Sequence, residues 1–110
     1  MAADVLTNPN QQKRYTLAAA DTWQQVTLAE SCREILIQGY DSADDGTGAV
    51  CYVAMAGTDA GAIGATAYKT VDAGAAYSRR IHRGGSRGVV SIYIAVGTNN
   101  DIVELDCQED

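Results

Sequence analysis

The stretch "GVVSIYIAVGTNNDIVELDC" (88–107) limits what this chain can become more than any other. Val90, Ile92, Ile94 and Val96 alternate with Val89, Ser91, Tyr93 and Ala95, the period of two that puts one set of side chains on one face of a strand. Gly97, Asn99 and Asn100 interrupt the run with turn residues. Alternation then resumes, with Val103, Leu105 and Cys107 on one face and Glu104 and Asp106 toward water. The pattern predicts two consecutive strands joined as a hairpin through "GTNND".

The rest of the chain repeats the rhythm. "AVCYVAMAG" (49–57) is apolar on both faces, as a strand flanked on both sides would be. Shorter runs follow the same composition: "KRYTLA", "WQQVTL", "REILIQGY", "TAYKTV" and "AAYSRRI". About eight short strands separated by turn residues predict an all-β fold, a single β-sandwich of jelly-roll-like type. "TLAESCREIL" (27–36) reads two ways. Thr27 and Glu30 have the spacing of a helix capping box, with Leu28, Cys32, Ile35 and Leu36 at helical intervals. "VTL" and the β-branched "EILIQ" favour strand–turn–strand, which is the reading adopted, with a short helix as its alternative.

A chain of 110 residues makes one domain. With no phenylalanine, its core must come from Val, Ile, Leu, Ala and some of the tyrosines. Residues 1–12 are polar, aperiodic and hold the only proline, Pro9. They are expected as an extended arm outside the core, leaving 13–110 as the β-sandwich domain. The net charge of −6 argues against a nucleic-acid or anionic-membrane partner, since phosphate contacts need a positive face. Nothing has the pattern of a signal peptide or a membrane span, so a soluble chain is expected. Cys32, Cys51 and Cys107 lack metal-ligand spacing and are expected as buried, reduced thiols, with no metal and no cofactor.

"RRIHRGGSRG" (79–88) concentrates Arg79, Arg80, Arg83 and Arg87, four of the eight Lys and Arg residues, and the single histidine on an acidic chain. A strand through this point puts Arg79 and Ile81 with Tyr77 on one face and Arg80 on the other. Gly84 and Gly85 suit a hairpin loop before Val89. No aromatic residues interleave with the arginines, so the stacking platform for single-stranded nucleic acid is missing. Two readings stay open: a solvated loop, or guanidinium forks facing carboxylates of a protein partner. His82 has no evident catalytic companion. "DSADDGTG" (41–48) departs from a calcium loop at Ala43 and Tyr52 and reads as an acidic turn. Trp23 with Gln24 and Gln25 could offer a sugar platform only if it and the tyrosines share an open face. No arrangement of nucleophile, base and acid emerges, and catalysis is not expected.

The order of these segments carries a resemblance. A polar arm "MAADVLTNPNQQKRYTLAAADTW" leads into "WQQVTLAESCREILIQGYDSADDGTGAVCYVAMAG", then "KTVDAGAAYSRRI" and "GVVSIYIAVGTNNDIVELD". Over residues 13–107 this resembles small structural proteins of tailed bacteriophages, in particular head decoration (cement) proteins. Neck proteins, tail modules and sugar-binding fibre domains share the style. The resemblance implies a non-enzymatic virion protein on the capsid surface. It would bind the major capsid protein and copies of itself as a homotrimer. An arm including Asn8, Pro9 and Asn10, together with Arg79, Arg80, Arg83 and Arg87, would lie at the contacts.

Overall fold

The structure, a computed structural model, describes residues 4–6, 11–29, 32–43, 45–55, 57, 60–64, 67–81 and 90–109. Nine strands run through them: β1 (Asp4–Val5), β2 (Gln12–Thr16), β3 (Gln24–Leu28), β4 (Cys32–Tyr40), β5 (Cys51–Ala54), β6 (Lys69–Val71), β7 (Ala76–Arg80), β8 (Val90–Val96) and β9 (Ile102–Glu109). They form two sheets, the first ordered β1-β3-β8-β5-β6 and the second β2-β9-β4-β7.

The antiparallel pairs β2–β9, β3–β8, β4–β7 and β5–β6 are nested. From β2 onward the chain is one long hairpin with its bend between β5 and β6. Successive pairs fall in alternate sheets, which wraps that hairpin into a jelly roll. The pairings β4–β9 and β5–β8 then complete each sheet. β1 adds to the first sheet as a parallel edge strand beside β3.

The expected faces are the observed ones. Ile92, Ile94 and Val96 point inward with none of their surface exposed, as do Val26, Ile35, Ile37, Cys51, Val103 and Leu105. Burying each such Val, Leu or Ile side chain is worth roughly 1.5–3 kcal/mol relative to leaving it in water. Gly39 lies in the same interior. A Cβ there would run into the carbonyl oxygen of Ala49, with the Cys51 thiol 3.2 Å away. The segment 27–36 is strand–turn–strand in its described residues. β3 runs through Leu28, β4 starts at Cys32, and the Cys32 amide donates to the Ala29 carbonyl at 3.0 Å.

Three expectations need correction. β8 and β9 do not form a hairpin, because β8 pairs with β3 and β5 whereas β9 pairs with β2 and β4. "GTNND" instead turns the chain from one sheet to the other. The corner is held by Asn100 in the left-handed region (φ 69°) and two bonds to Leu17, Asn100 N–H to Leu17 O (2.9 Å) and Leu17 N–H to Asp101 O (3.0 Å). β7 and β8 likewise belong to different sheets and do not pair as the arms of a hairpin, while "RGGSRG" between them lies outside the described residues. Finally, the N-terminal segment is not wholly outside the core. Asp4 and Val5 pair with Val26 and Thr27, and Leu6 is 1% exposed within the main apolar cluster. One well-placed leucine suffices to bury a segment too short to show a period.

Candidate functional site

Each sheet of the sandwich has two outer strands, and they meet in pairs. β1 lies against β2, since Asp4 accepts from the Tyr15 hydroxyl (2.7 Å) and from the Lys13 ammonium (2.8 Å). β6 and β7 are joined by the turn 72–75, closed by the Ala75 amide on the Asp72 carbonyl (2.9 Å). The molecule therefore has two long edges, β1/β2 and β6/β7.

The β7 edge carries two of the four arginines that the sequence singles out, Arg79 and Arg80. The Ile81 amide donates to the Arg33 carbonyl at 2.7 Å. In an antiparallel ladder, bonded and non-bonded residues alternate. Arg79 and Tyr77 therefore bond inward to β4, while Arg80, Ser78 and Ala76 turn their N–H and C=O groups outward. The β9–β2 ladder fits the same phase, because Cys107 N–H donates to Gln11 O at 2.8 Å. β7 is thus an exposed edge strand of five residues without proline, the geometry that accepts another strand.

Arg79 and Arg80 both lie on this strand, exposed and on opposite faces. Arg79 stands across from Ile35 and donates from its guanidinium to the Tyr77 hydroxyl at 3.3 Å. Arg80 stands across from Glu34. Arg83 and Arg87 lie outside the described residues, as do Asn8, Pro9, Asn10 and His82.

The other edge joins charge and apolar surface. Hydrogen bonds from Lys13 first and Tyr15 second hold the Asp4 carboxyl below its ordinary value. Next to it Val5 is 57% exposed, a large apolar side chain turned outward on an edge strand.

The aromatic residues are gathered but not open. On the outer side of the first sheet, Trp23 meets Tyr68 edge-to-face at 5.7 Å and Tyr68 meets Tyr52 at 5.3 Å. The Trp23 indole N–H donates to the Gly61 carbonyl at 2.8 Å, and the Tyr68 hydroxyl accepts from the Gly64 amide at 2.6 Å. These bonds pin the β5–β6 connection over the sheet. Ala54 and Ala95 on this outer side are accordingly buried, at 1% and 0%. The rings are pegs for a cover rather than a flat platform. Burial also raises the Tyr52 hydroxyl above its ordinary value.

The acidic turn is a turn in its described residues. Asp41 caps the Ala43 amide (2.6 Å) and Asp45 the Thr47 amide (3.1 Å). No group of three metal-ligating side chains occurs among the described residues. All three cysteines are buried thiols outside any disulfide. Burial pushes the Cys51 thiol up to about 12, and the Cys32 thiol beside Cys107 raises that group as well. The chain matches none of the protein-family models and none of the curated proteins with which it was compared.

The sequence reading missed one feature, a groove on the outer side of the second sheet. It is lined by Gln12, Arg14, Leu36, Gln38, Glu104 and Asp106, among others. Its signal was in the sequence as the polar half of alternating strands, of which only Glu104 and Asp106 were read, as the water-facing side.

Proposed function

We propose that this chain is a non-enzymatic virion structural protein that decorates and stabilises a bacteriophage capsid by binding the lattice of the major capsid protein. The observation that carries the reading is the β7 edge, whose main-chain groups at Ala76 and Ser78 turn away from β4 beside two arginines on opposite faces. A partner strand added there would gain main-chain hydrogen bonds without needing a preformed pocket, and the guanidinium forks favour a partner carrying carboxylates. The opposite edge, with exposed Val5 beside β2, offers a second contact, to a neighbouring copy in a homotrimer. Contacts of modest strength suffice on a lattice, because each bound copy raises the effective concentration of the next contact.

The half-buried, hydrogen-bonded Trp23 cluster gives no support to a sugar platform on the first sheet. The deciding experiment is quantitative mass spectrometry of gradient-purified particles from the native source. The expected result is this chain in fixed stoichiometric ratio to the shell protein over the whole lattice. A copy number matching a single ring would move the protein to a neck or tail. Absence from every particle would overturn the virion reading.

A further inference from the structure

The outer sides of the two sheets differ. The first is roofed by the β5–β6 connection through Trp23 and Tyr68, whereas across β2, β9 and β4 the second has a groove lined, among the described residues, by these strands alone. There, successive cross-strand rows place Arg14 beside Glu104 and Gln38, and Gln12 beside Asp106 and Leu36. These side chains line a groove of about 370 Å³, at the small end of the roughly 300–1,000 Å³ range of ligand sites.

Its polar groups are held in place. Arg14 Nε lies 3.5 Å from Glu104 Oε2, and its guanidinium sits 5.6 Å from the centre of the Tyr40 ring. The Tyr40 hydroxyl donates to Gln38 Oε1 at 3.0 Å, which leaves the Gln38 amide nitrogen as the donor toward the groove. Gln108 donates to Asp106 Oδ2 at 3.3 Å. An ion pair at this exposure adds little to stability. What the contacts do is fix the rotamers of a guanidinium, an amide and two carboxylates around Leu36, a half-buried apolar floor. Side chains already ordered lose less entropy when a ligand arrives.

The chemistry of the lining selects the ligand. Planar groups with two parallel donors or acceptors match adjacent hydroxyls, and an apolar floor matches the C–H face of a pyranose ring. The Lys13 ammonium is turned to the other face of β2, on Asp4, so the charged side chains of the groove are Arg14 against the two carboxylates of Glu104 and Asp106. A phosphate or sulfate would have to take Arg14 from Glu104, and a cation would meet Arg14. We propose that this groove binds a neutral saccharide, giving the domain a glycan-binding face distinct from its β7 edge and independent of the capsid reading.

The test is a titration of the ¹⁵N-labelled full-length chain, followed by amide chemical shifts, with maltotriose, cellotriose, chitotriose and lactose, and with 3′-sialyllactose as an anionic comparison. The expected result is saturable shifts at Arg14, Gln38 and Glu104 with at least one neutral sugar. Arg14→Ala and Asp106→Ala should each weaken that binding about ten-fold, the loss of one charge-assisted hydrogen bond. Arg79→Ala, on the far edge, should leave it unchanged. The dispersed spectrum of each variant separates lost binding from lost fold. No shift with any neutral sugar overturns the proposal. So do stronger binding of the sialylated probe, shifts confined to the Trp23 side, and affinity that survives both groove substitutions.

Discussion

Tyr15 on β2 donates its hydroxyl to Asp4 on β1 across 2.7 Å, a bond that ties the edge of one sheet to the edge of the other. Lys13 completes the arrangement, 2.8 Å from the same carboxylate oxygen and 5.3 Å from the centre of the Tyr15 ring. Tyr15 is buried up to that bond, and burial first, then Asp4, raises its hydroxyl far above the ordinary value. The hydroxyl therefore stays protonated and donating throughout the range in which the protein is handled.

The bond makes stability depend on acid in a defined direction. Asp4 titrates below its ordinary 3.8 because its charged form is hydrogen-bonded in the folded state. Its contribution is present above the unfolded value and fades as pH falls through the lower folded one. Tyr15→Phe should cost about 1 kcal/mol at neutral pH. In urea unfolding, the gap between variant and parent should narrow below the unfolded carboxylate value. A gap constant down to strongly acid pH would show that the hydroxyl acts through packing alone.

Val5 and Leu6 are neighbours in sequence with opposite surroundings, 57% and 1% exposed. Leu6→Ala should lose about 2–5 kcal/mol, the range for deleting a buried leucine. Val5→Ala should stay within about 0.5 kcal/mol. Removing residues 1–12 should consequently destabilise the domain itself and not only its contacts. Equal thermal stability of the truncated and full chains would return this segment to the status of a free arm.

Gly39 is an inward position of β4 with no room for a methyl group, because the Ala49 carbonyl and Cys51 occupy the space. Gly39→Ala should destabilise by about 1–3 kcal/mol through overpacking, read as a lower urea midpoint with an unchanged slope. An unaltered midpoint would mean that the 39–49 connection yields easily.

These sites show which parts of the fold the sequence can display. Inward and outward residues of β8 and β9 were legible because alternation is a local property of an extended chain. Their partners were not, because the same alternation fits a hairpin and a crossover equally well. The choice is made by β2, β3, β4 and β5, which arrive from tens of residues away. β1 was illegible for another reason: two paired residues and one buried leucine are too few to carry a period. Arg79 and Arg80 were rightly placed on opposite faces of a strand, yet the openness of that strand's outer edge depends on β4 being its neighbour. The groove was hidden by success of a kind, since Arg14, Gln38, Glu104 and Asp106 do face water as the pattern requires. That they face one another follows from strand order.

The phase of the β7 ladder gives the sharpest test of the edge. Ser78 has its N–H directed away from β4, whereas Tyr77 bonds to it, as the Ile81–Arg33 bond at 2.7 Å fixes. Proline removes one N–H and is tolerated in sheets only where that group faces outward. Ser78→Pro should therefore leave a folded domain with nearly parental thermal stability, while Tyr77→Pro, one residue earlier, should break the β4–β7 ladder and lower it markedly. If the edge receives a partner strand, Ser78→Pro should also reduce the copies retained on purified particles, and Arg79→Glu should do the same by reversing charge without touching the main chain. Full retention of both folded variants would show that the partner is not held through β7, and attention would move to Val5 on the opposite edge.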